Sequence, residues 1–293
     1  MFWEILSWVV KISVHLRRFF NNIHIAVEKT EVVKIMSIEK TVVITGGNRG
    51  IGKAVALKAM ELNWNVVISY KNHENSATEL VSQANSVAKA FPLDVRSPES
   101  IKDFFESVEK EFGVPDALIA SAGINNKPMS IGCFEYSKLH EVFDVNALGL
   151  IYCCDSYVSM ILEEQNSEKH YKNNKRYSIV NISSLASTIG GRSGKTIYAA
   201  SKGAVDAFTI GAAKELAKSN IDVFAVRPGV TKTDMTEPYL SDSNAAEQIK
   251  KTIACGEVAE PSDIAKPILN LISGDFAYAS GSVLNLGGGG FLV

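Results

Sequence analysis

From Lys40 onward, short β-branched runs alternate with longer stretches of helical periodicity, and this alternation constrains the fold more than any other feature of the chain. Strands separated by helices run parallel, because each helix carries the chain back across the sheet before the next strand begins. Strands are expected at 41–44, 66–70, 87–91, 117–120, 178–182, 223–226 and 283–286, and helices near 51–62, 76–84, 98–112, 138–163, 197–217, 245–253 and 261–272. Such a pattern makes one doubly wound α/β domain, a seven-stranded parallel sheet with helices on both faces, over residues 38–293. The 293 residues are 46% hydrophobic, enough for one such core, and no internal repeat or Pro/Ser-rich linker divides them. With 30 basic and 32 acidic residues the net charge is -2, which gives no basis for nucleic acid or an anionic membrane surface as the main partner.

Residues 1–37 stand apart as an N-terminal extension. Their apolar run, which includes Trp3, Ile5, Leu6 and Trp8, is broken by Glu4 and Lys11 before it reaches bilayer-spanning length, so no membrane span is expected. Arg17 and Arg18 follow the apolar part, the reverse of a secretory signal. Three alternatives stay open: a true start at Met36, a poorly ordered tail, or an organelle-targeting segment, against which Glu4, Glu28 and Glu31 count. The start at Met36 is the most economical, because 36–40 lead straight into the first strand. Cys133, Cys153, Cys154 and Cys255 form no C-x-x-C pair and no metal-ligand spacing. They are expected as free thiols, mostly small buried apolar residues, in a cytoplasmic protein without a metal site.

After Val42-Val43-Ile44 comes Thr45-Gly46-Gly47-Asn48-Arg49-Gly50-Ile51-Gly52, a glycine turn between a strand and a helix. Gly46, Gly50 and Gly52 let the turn be tight and the backbone approach a ligand, while the helix start offers free N–H donors, so a pyrophosphate fits there. A site for NAD ends its second strand with an acid about twenty residues on, which bonds the ribose 2′-hydroxyl. Here 66–72 read V-V-I-S-Y-K-N, with no carboxylate before Glu74. Arg49 and Lys71 can jointly hold a 2′-phosphate, which points to NADP(H).

Tyr198 and Lys202, in Y-A-A-S-K, are spaced to share one helix face, an acid/base pair beside a cofactor. With T-G-x-x-x-G-I-G at 45–52, Leu93-Asp94-Val95, Ser121-Ala122-Gly123, Asn146, Ser184, Tyr198-x-x-x-Lys202 and Arg227-Pro228-Gly229 in this order, the chain resembles the classical short-chain dehydrogenase/reductases. Within the family it is most similar to 3-oxoacyl-[acyl-carrier-protein] reductases and glucose-1-dehydrogenase-like enzymes. The resemblance implies a Rossmann-like fold and a catalytic set of Asn146, Ser184, Tyr198 and Lys202. It also implies cofactor contacts from Gly46, Asn48, Arg49, Gly50, Ile51, Gly52, Lys71, Asp94, Val95, Ser121, Ala122, Gly123, Tyr198, Lys202, Pro228, Gly229, Val230 and Thr233. Asp94 and Val95 would flank the adenine, and Thr233 would bond the carboxamide. A homotetramer or dimer built on the two long central helices follows from the same likeness. The chain departs from the family pattern at Ser121, where an asparagine is usual, at Ser187 in place of a glycine, and at Leu286 in place of an acid.

The expected activity is hydride transfer between nicotinamide and a carbonyl or secondary alcohol, with Tyr198 as general acid/base. Bringing a tyrosine from about 10 to about 7 needs roughly 4 kcal/mol of extra phenolate stabilisation, which the Lys202 ammonium is expected to supply in large part. Ser184 would bond the substrate oxygen, and Asn146 would hold a water linking Lys202 to solvent. Strand alternation turns Ser183 away from Ser184. The substrate is either a small carbonyl or alcohol, such as a sugar or ketone, or a 3-oxoacyl thioester on a carrier protein, whose acidic surface Lys214, Lys218 and 169–176 would face. A non-catalytic NADP(H)-sensing or scaffold protein is the alternative of another class, and such a protein would be expected to lack Tyr198 or Lys202. Residues 235–244 are expected to form a lid.

Overall fold

The computed structural model describes residues 40–167 and 175–290. The alternatives for 1–37 fall outside the described residues. Strands β1 (Thr41–Thr45), β2 (Asn65–Tyr70), β3 (Ala88–Pro92), β4 (Ala117–Ala120), β5 (Tyr177–Ile182), β6 (Ile221–Pro228) and β7 (Val283–Leu286) form one sheet in the order β3-β2-β1-β4-β5-β6-β7, every pair parallel. Between them lie α1 (Gly50–Glu61), α2 (Glu74–Val81), α3 (Pro98–Phe112), α4 (Tyr136–Phe143), α5 (Gly149–Asn166), α6 (Ala186–Ile189), α7 (Thr196–Leu216), α8 (Glu237–Leu240), α9 (Ser243–Lys251) and α10 (Pro261–Leu271). The expected single α/β domain is therefore present, with element ends shifted by a few residues.

All five residues of β1 are buried, because helices cover both faces of the sheet. Val43, Val67, Leu118 and Ile179 face Phe104 and Phe105 of α3, Leu150 and Tyr157 of α5 and Val205 of α7. Their strand neighbours Val42, Val66, Ile119 and Val180 face the other way, onto Val55 of α1, Leu80 of α2 and Ile268 of α10. Each such fully buried side chain contributes about 1.5–3 kcal/mol, so the two layers leave little freedom in register. Thr45 pairs with Ala120 and Ala120 with Asn181, which sets the ends of β1, β4 and β5 side by side. Since the strand order reverses between β1 and β4, this edge is a topological switch point, where open α/β sheets bind ligands.

The helix expected over 138–163 is not continuous. A π-helical turn, Asp144–Leu148, separates α4 from α5. Apolar periodicity does not distinguish an i→i+5 turn from an α-helical one, and such turns mark functional sites. Tyr136–Asn166 as a whole is apolar and long enough to cross a membrane by length and composition. It is a core element, since Leu150, Cys153, Cys154, Tyr157 and Ile161 pack on the sheet. Of the cysteines, Cys153 and Cys154 are buried as expected, whereas Cys133 and Cys255 are exposed, because both lie in connections outside the layers.

At the start of α5, a Cβ on Gly149 would lie 2.6 Å from Val95 O. Gly149→Val should therefore force the helix off the end of β3 and lower stability by about 1–3 kcal/mol, read as a lower urea midpoint. An unchanged midpoint would show that the helix moves away without penalty.

Candidate active site

The glycine turn leaves β1 with Gly46 at φ 64° and Gly50 at φ 55°, backbone that favours glycine. A Cβ on Gly52 would lie 2.5 Å from Gly46 O, so the first turn of α1 closes directly on the loop. The backbone is thereby left bare where the α1 N–H groups emerge, a cradle that suits a pyrophosphate. Gly46 N donates to Ser69 Oγ at 3.0 Å, and Asn48 is buried. Thr45 Oγ1 accepts from both Ser121 N and Ala122 N at 3.1 Å, joining the turn to the segment after β4. Across the cleft, a methyl on Gly50 would come within 3.3 Å of Thr233 Cγ2, so the 228–233 segment after β6 forms the opposite rim. The cradle therefore fits a dinucleotide among Gly46, Gly50, Gly52, Ser121–Gly123 and Thr233.

At the end of β2, Lys71 Nζ lies 2.9 Å from Asp94 Oδ2, and Arg96 bonds the same carboxylate through Nε at 3.0 Å and Nη2 at 2.7 Å. These cations, Arg96 foremost, hold Asp94 well below the usual carboxylate range. Lys71 is thus shared with Asp94, an ion pair the sequence order does not reveal. Arg49, at the N-cap of α1, is exposed and enters no ion pair among the described residues.

Around the acid/base pair the structure brings Asn146, Ser184, Tyr198 and Lys202 together. Lys202 is 4% exposed, and its Nζ donates to Ile182 O at 2.6 Å. Ser183 turns inward and donates to Lys202 O at 3.1 Å, as alternation requires. Ser184 Oγ accepts from Ala186 N at 3.1 Å and lies near enough to the Tyr198 phenol to act on its pKa. A Cβ on Gly123 would lie 3.4 Å from Asn146 Oδ1 and 3.7 Å from Lys202 Nζ, so the β4 segment threads between them.

Burial raises the Tyr198 phenol above its ordinary value, and the neighbouring Ser184 hydroxyl acts in the opposite direction. Lys202 spends a proton on Ile182 O, and burial depresses its own pKa to about 8, opposed by the charge of Asp206. The Asn146 amide is engaged on both sides. Oδ1 accepts from Ile124 N at 2.8 Å, while Nδ2 donates to Ile124 O at 2.9 Å and Ser201 Oγ at 3.2 Å.

Asp206, one helical turn beyond Lys202, is 7% exposed and ion-paired to Arg227 at 3.0 Å. Its role was carried in the sequence by the four-residue spacing from Lys202. Thr45, Ser69 and Ile124 join the site through contacts that have no motif.

A model of the family described as Enoyl-(Acyl carrier protein) reductase matches residues 46–290. The 3-oxoacyl-[acyl-carrier-protein] reductase FabG of Staphylococcus aureus is 28% identical over 260 residues, 88% of this chain and 100% of that protein. A crystal structure of the Brucella melitensis 3-oxoacyl-[acyl-carrier protein] reductase in complex with NAD superposes with a TM-score of 0.76 at 27% identity, covering 86% of this chain and 96% of that one. A candidate 2-deoxy-d-gluconate 3-dehydrogenase from Agrobacterium tumefaciens with bound NADP gives 0.76 at 28% identity, covering 87% and 97%. The chain belongs to the classical short-chain dehydrogenase/reductase family and is an oxidoreductase of that family with a Rossmann-like nucleotide-binding fold.

The depressed Lys202 predicts a pH-dependent stability. Its fall from 10.5 to about 8 corresponds to roughly 3 kcal/mol held against folding while the group is charged. Between pH 8 and 10.5 the unfolded chain binds more protons than the folded one, so that penalty is present below 8 and is relieved as pH rises. The stability of Lys202→Met relative to wild type should therefore fall by about 2 kcal/mol from pH 7.5 to pH 10, measured by urea unfolding. A constant difference would contradict the buried ammonium.

Proposed function

We propose that the protein is an NADP(H)-dependent oxidoreductase that reduces a carbonyl or oxidises the corresponding secondary alcohol. The observation that carries this reading is the convergence of Ser184, Tyr198 and Lys202 at the sheet edge beside the glycine cradle. When bound, the nicotinamide supplies or accepts the hydride. Tyr198, whose raised pKa keeps it protonated near neutrality, gives its phenol proton to the carbonyl oxygen. Ser184, its own oxygen already held by Ala186 N, donates its hydroxyl proton to the same oxygen and places it. Lys202 brings a positive charge to the side of the phenolate that forms and reaches the ribose, and Asn146 positions Gly123 and the α7 face through Ile124 and Ser201. The intact pair weighs against a non-catalytic sensor or scaffold.

The preference for NADP(H) rests on Arg49, exposed and in no ion pair among the described residues, and on the absence of an acid within the 66–72 run, whose Lys71 stands beside Asp94. The neighbours' bound cofactors include both NAD and NADP. Reduction of a 3-oxoacyl thioester is the second reading, favoured by the names of the S. aureus and B. melitensis proteins. For a carrier partner, Lys214 and Lys218 are the exposed cations of the expected set among the described residues, because Lys175 pairs with Asp116 and Arg176 with Asp222, while 168–174 lie outside the described residues. We further propose a homo-oligomer, tetramer or dimer, through exposed Leu148 and Tyr152 beside Ile210 of α7, and a cytoplasmic setting in keeping with four thiols.

Tyr198→Phe should lower kcat by about 10²- to 10⁴-fold, followed by NADPH absorbance, while cofactor binding by fluorescence is retained. Near-normal turnover would refute the assignment. For the cofactor, kcat/KM should be higher with NADPH than with NADH, and Arg49→Ala should reduce that ratio severalfold; equal or better use of NADH by the wild type would refute the preference.

A further inference from the structure

Lys195 occupies the N-cap of α7, three residues before Tyr198, so both side chains emerge at the same end of the helix. Its ammonium donates to Asn125 Oδ1 at 3.0 Å and to Asn126 O, and it lies 5.7 Å from the centre of the Tyr239 ring in α8. All three partners are neutral. Lys195 enters no ion pair among the described residues, so its charge is uncompensated there.

The position of that charge follows from the chain. Gly123 packs against Asn146 and Lys202, and Asn125 lies two residues further on, a span of at most about 7 Å. Lys195 therefore sits on the rim of the cleft that holds Tyr198 and Ser184. It is also fixed in place. Met129 N donates to Gly194 O at 3.0 Å, and a Cβ on Gly194 would lie 2.7 Å from Pro128 Cβ, so the two loops that carry Lys195 and its acceptors are pressed together. Tyr239 brings α8, in the segment expected to act as a lid, over the same ammonium.

Beside this cation, Asn126 Oδ1 is a buried acceptor with no hydrogen-bond partner among the described residues. A buried acceptor of this kind calls for a donor. Of the other cations nearby, Arg192 points to Thr252 Oγ1 at 3.4 Å and Lys127 is exposed. One ammonium and one free acceptor match a single negative charge and a hydroxyl. A phosphate would call for a guanidinium fork or several converging N–H groups.

We infer that Lys195 is a specificity-determining residue and that the substrate is a hydroxylated oxo-carboxylate, its carboxylate seated on Lys195 a few bonds from the reacting carbonyl. This rests on the reading of the site as a carbonyl reductase. The test is steady-state reduction by NADPH of two matched pairs, 5-oxo-D-gluconate against L-sorbose and acetoacetate against methyl acetoacetate. The wild type should favour the acid in kcat/KM by at least about tenfold, Lys195→Met should bring that ratio to about one through the KM of the acid, and Lys195→Glu should invert it. Lys195→Arg should restore the preference, which separates the charge from any effect on folding. A wild-type ratio at or below one, or a Met variant with the ratio unchanged, overturns the inference. Failure of the underlying reading has a different signature, equal turnover by wild type and Tyr198→Phe.

Discussion

Asn146 is fully buried, and a buried amide left without partners costs about 1–3 kcal/mol for each group unpaired. It finds those partners in the N–H and C=O of Ile124 and in Ser201 Oγ, which belong to the segment after β4 and to α7. The amide thus acts as a short piece of sheet, fastening a loop that lies beyond the end of its strand. To reach inward, the chain between α4 and α5 leaves α-helical register for one π turn. The loop it holds is the one that passes between Asn146 and Lys202 as Gly123 and ends at the Lys195 acceptors. Catalytic face, cofactor edge and substrate rim all depend on where that loop is pinned.

The electrostatics of the face divide into an acid kept neutral and a base kept charged at a cost. Burial raises Tyr198 and lowers Lys202, so near neutrality one holds its proton firmly and the other holds it against its surroundings. Asp206 offsets part of that cost, while its ion pair with Arg227 ties α7 to the end of β6. The same pair keeps Asp206 from neutralising Lys202 outright. Tyr198 thus keeps its proton with a cation one helical turn away.

Much of this was legible from the residues. Parallel strands buried on both faces leave near-continuous apolar runs such as T-V-V-I-T, which is why the number of strands and their places along the chain followed from the sequence. The glycine cradle and the Tyr198/Lys202 spacing were legible for a similar reason: each is local, set by φ or by one helical turn. What stayed hidden is set by distant partners. A π turn has no hydrophobic period of its own, the Lys71–Asp94 pair joins the ends of two strands, and the contacts of Lys195 depend on two loops meeting. The burial that raises Tyr198 and the hydrogen bond from Lys202 to Ile182 O are likewise set by distant partners.

The central claim is that the pinned face transfers a hydride and a proton to one carbonyl. Its most direct test is a turnover experiment with NADPH carrying deuterium at nicotinamide C4 on the transferring face, the product alcohol being examined by mass spectrometry and NMR. The expected result is one deuterium on the carbinol carbon, with the hydroxyl proton taken from solvent. Product formed without deuterium from either C4 face would contradict the claim.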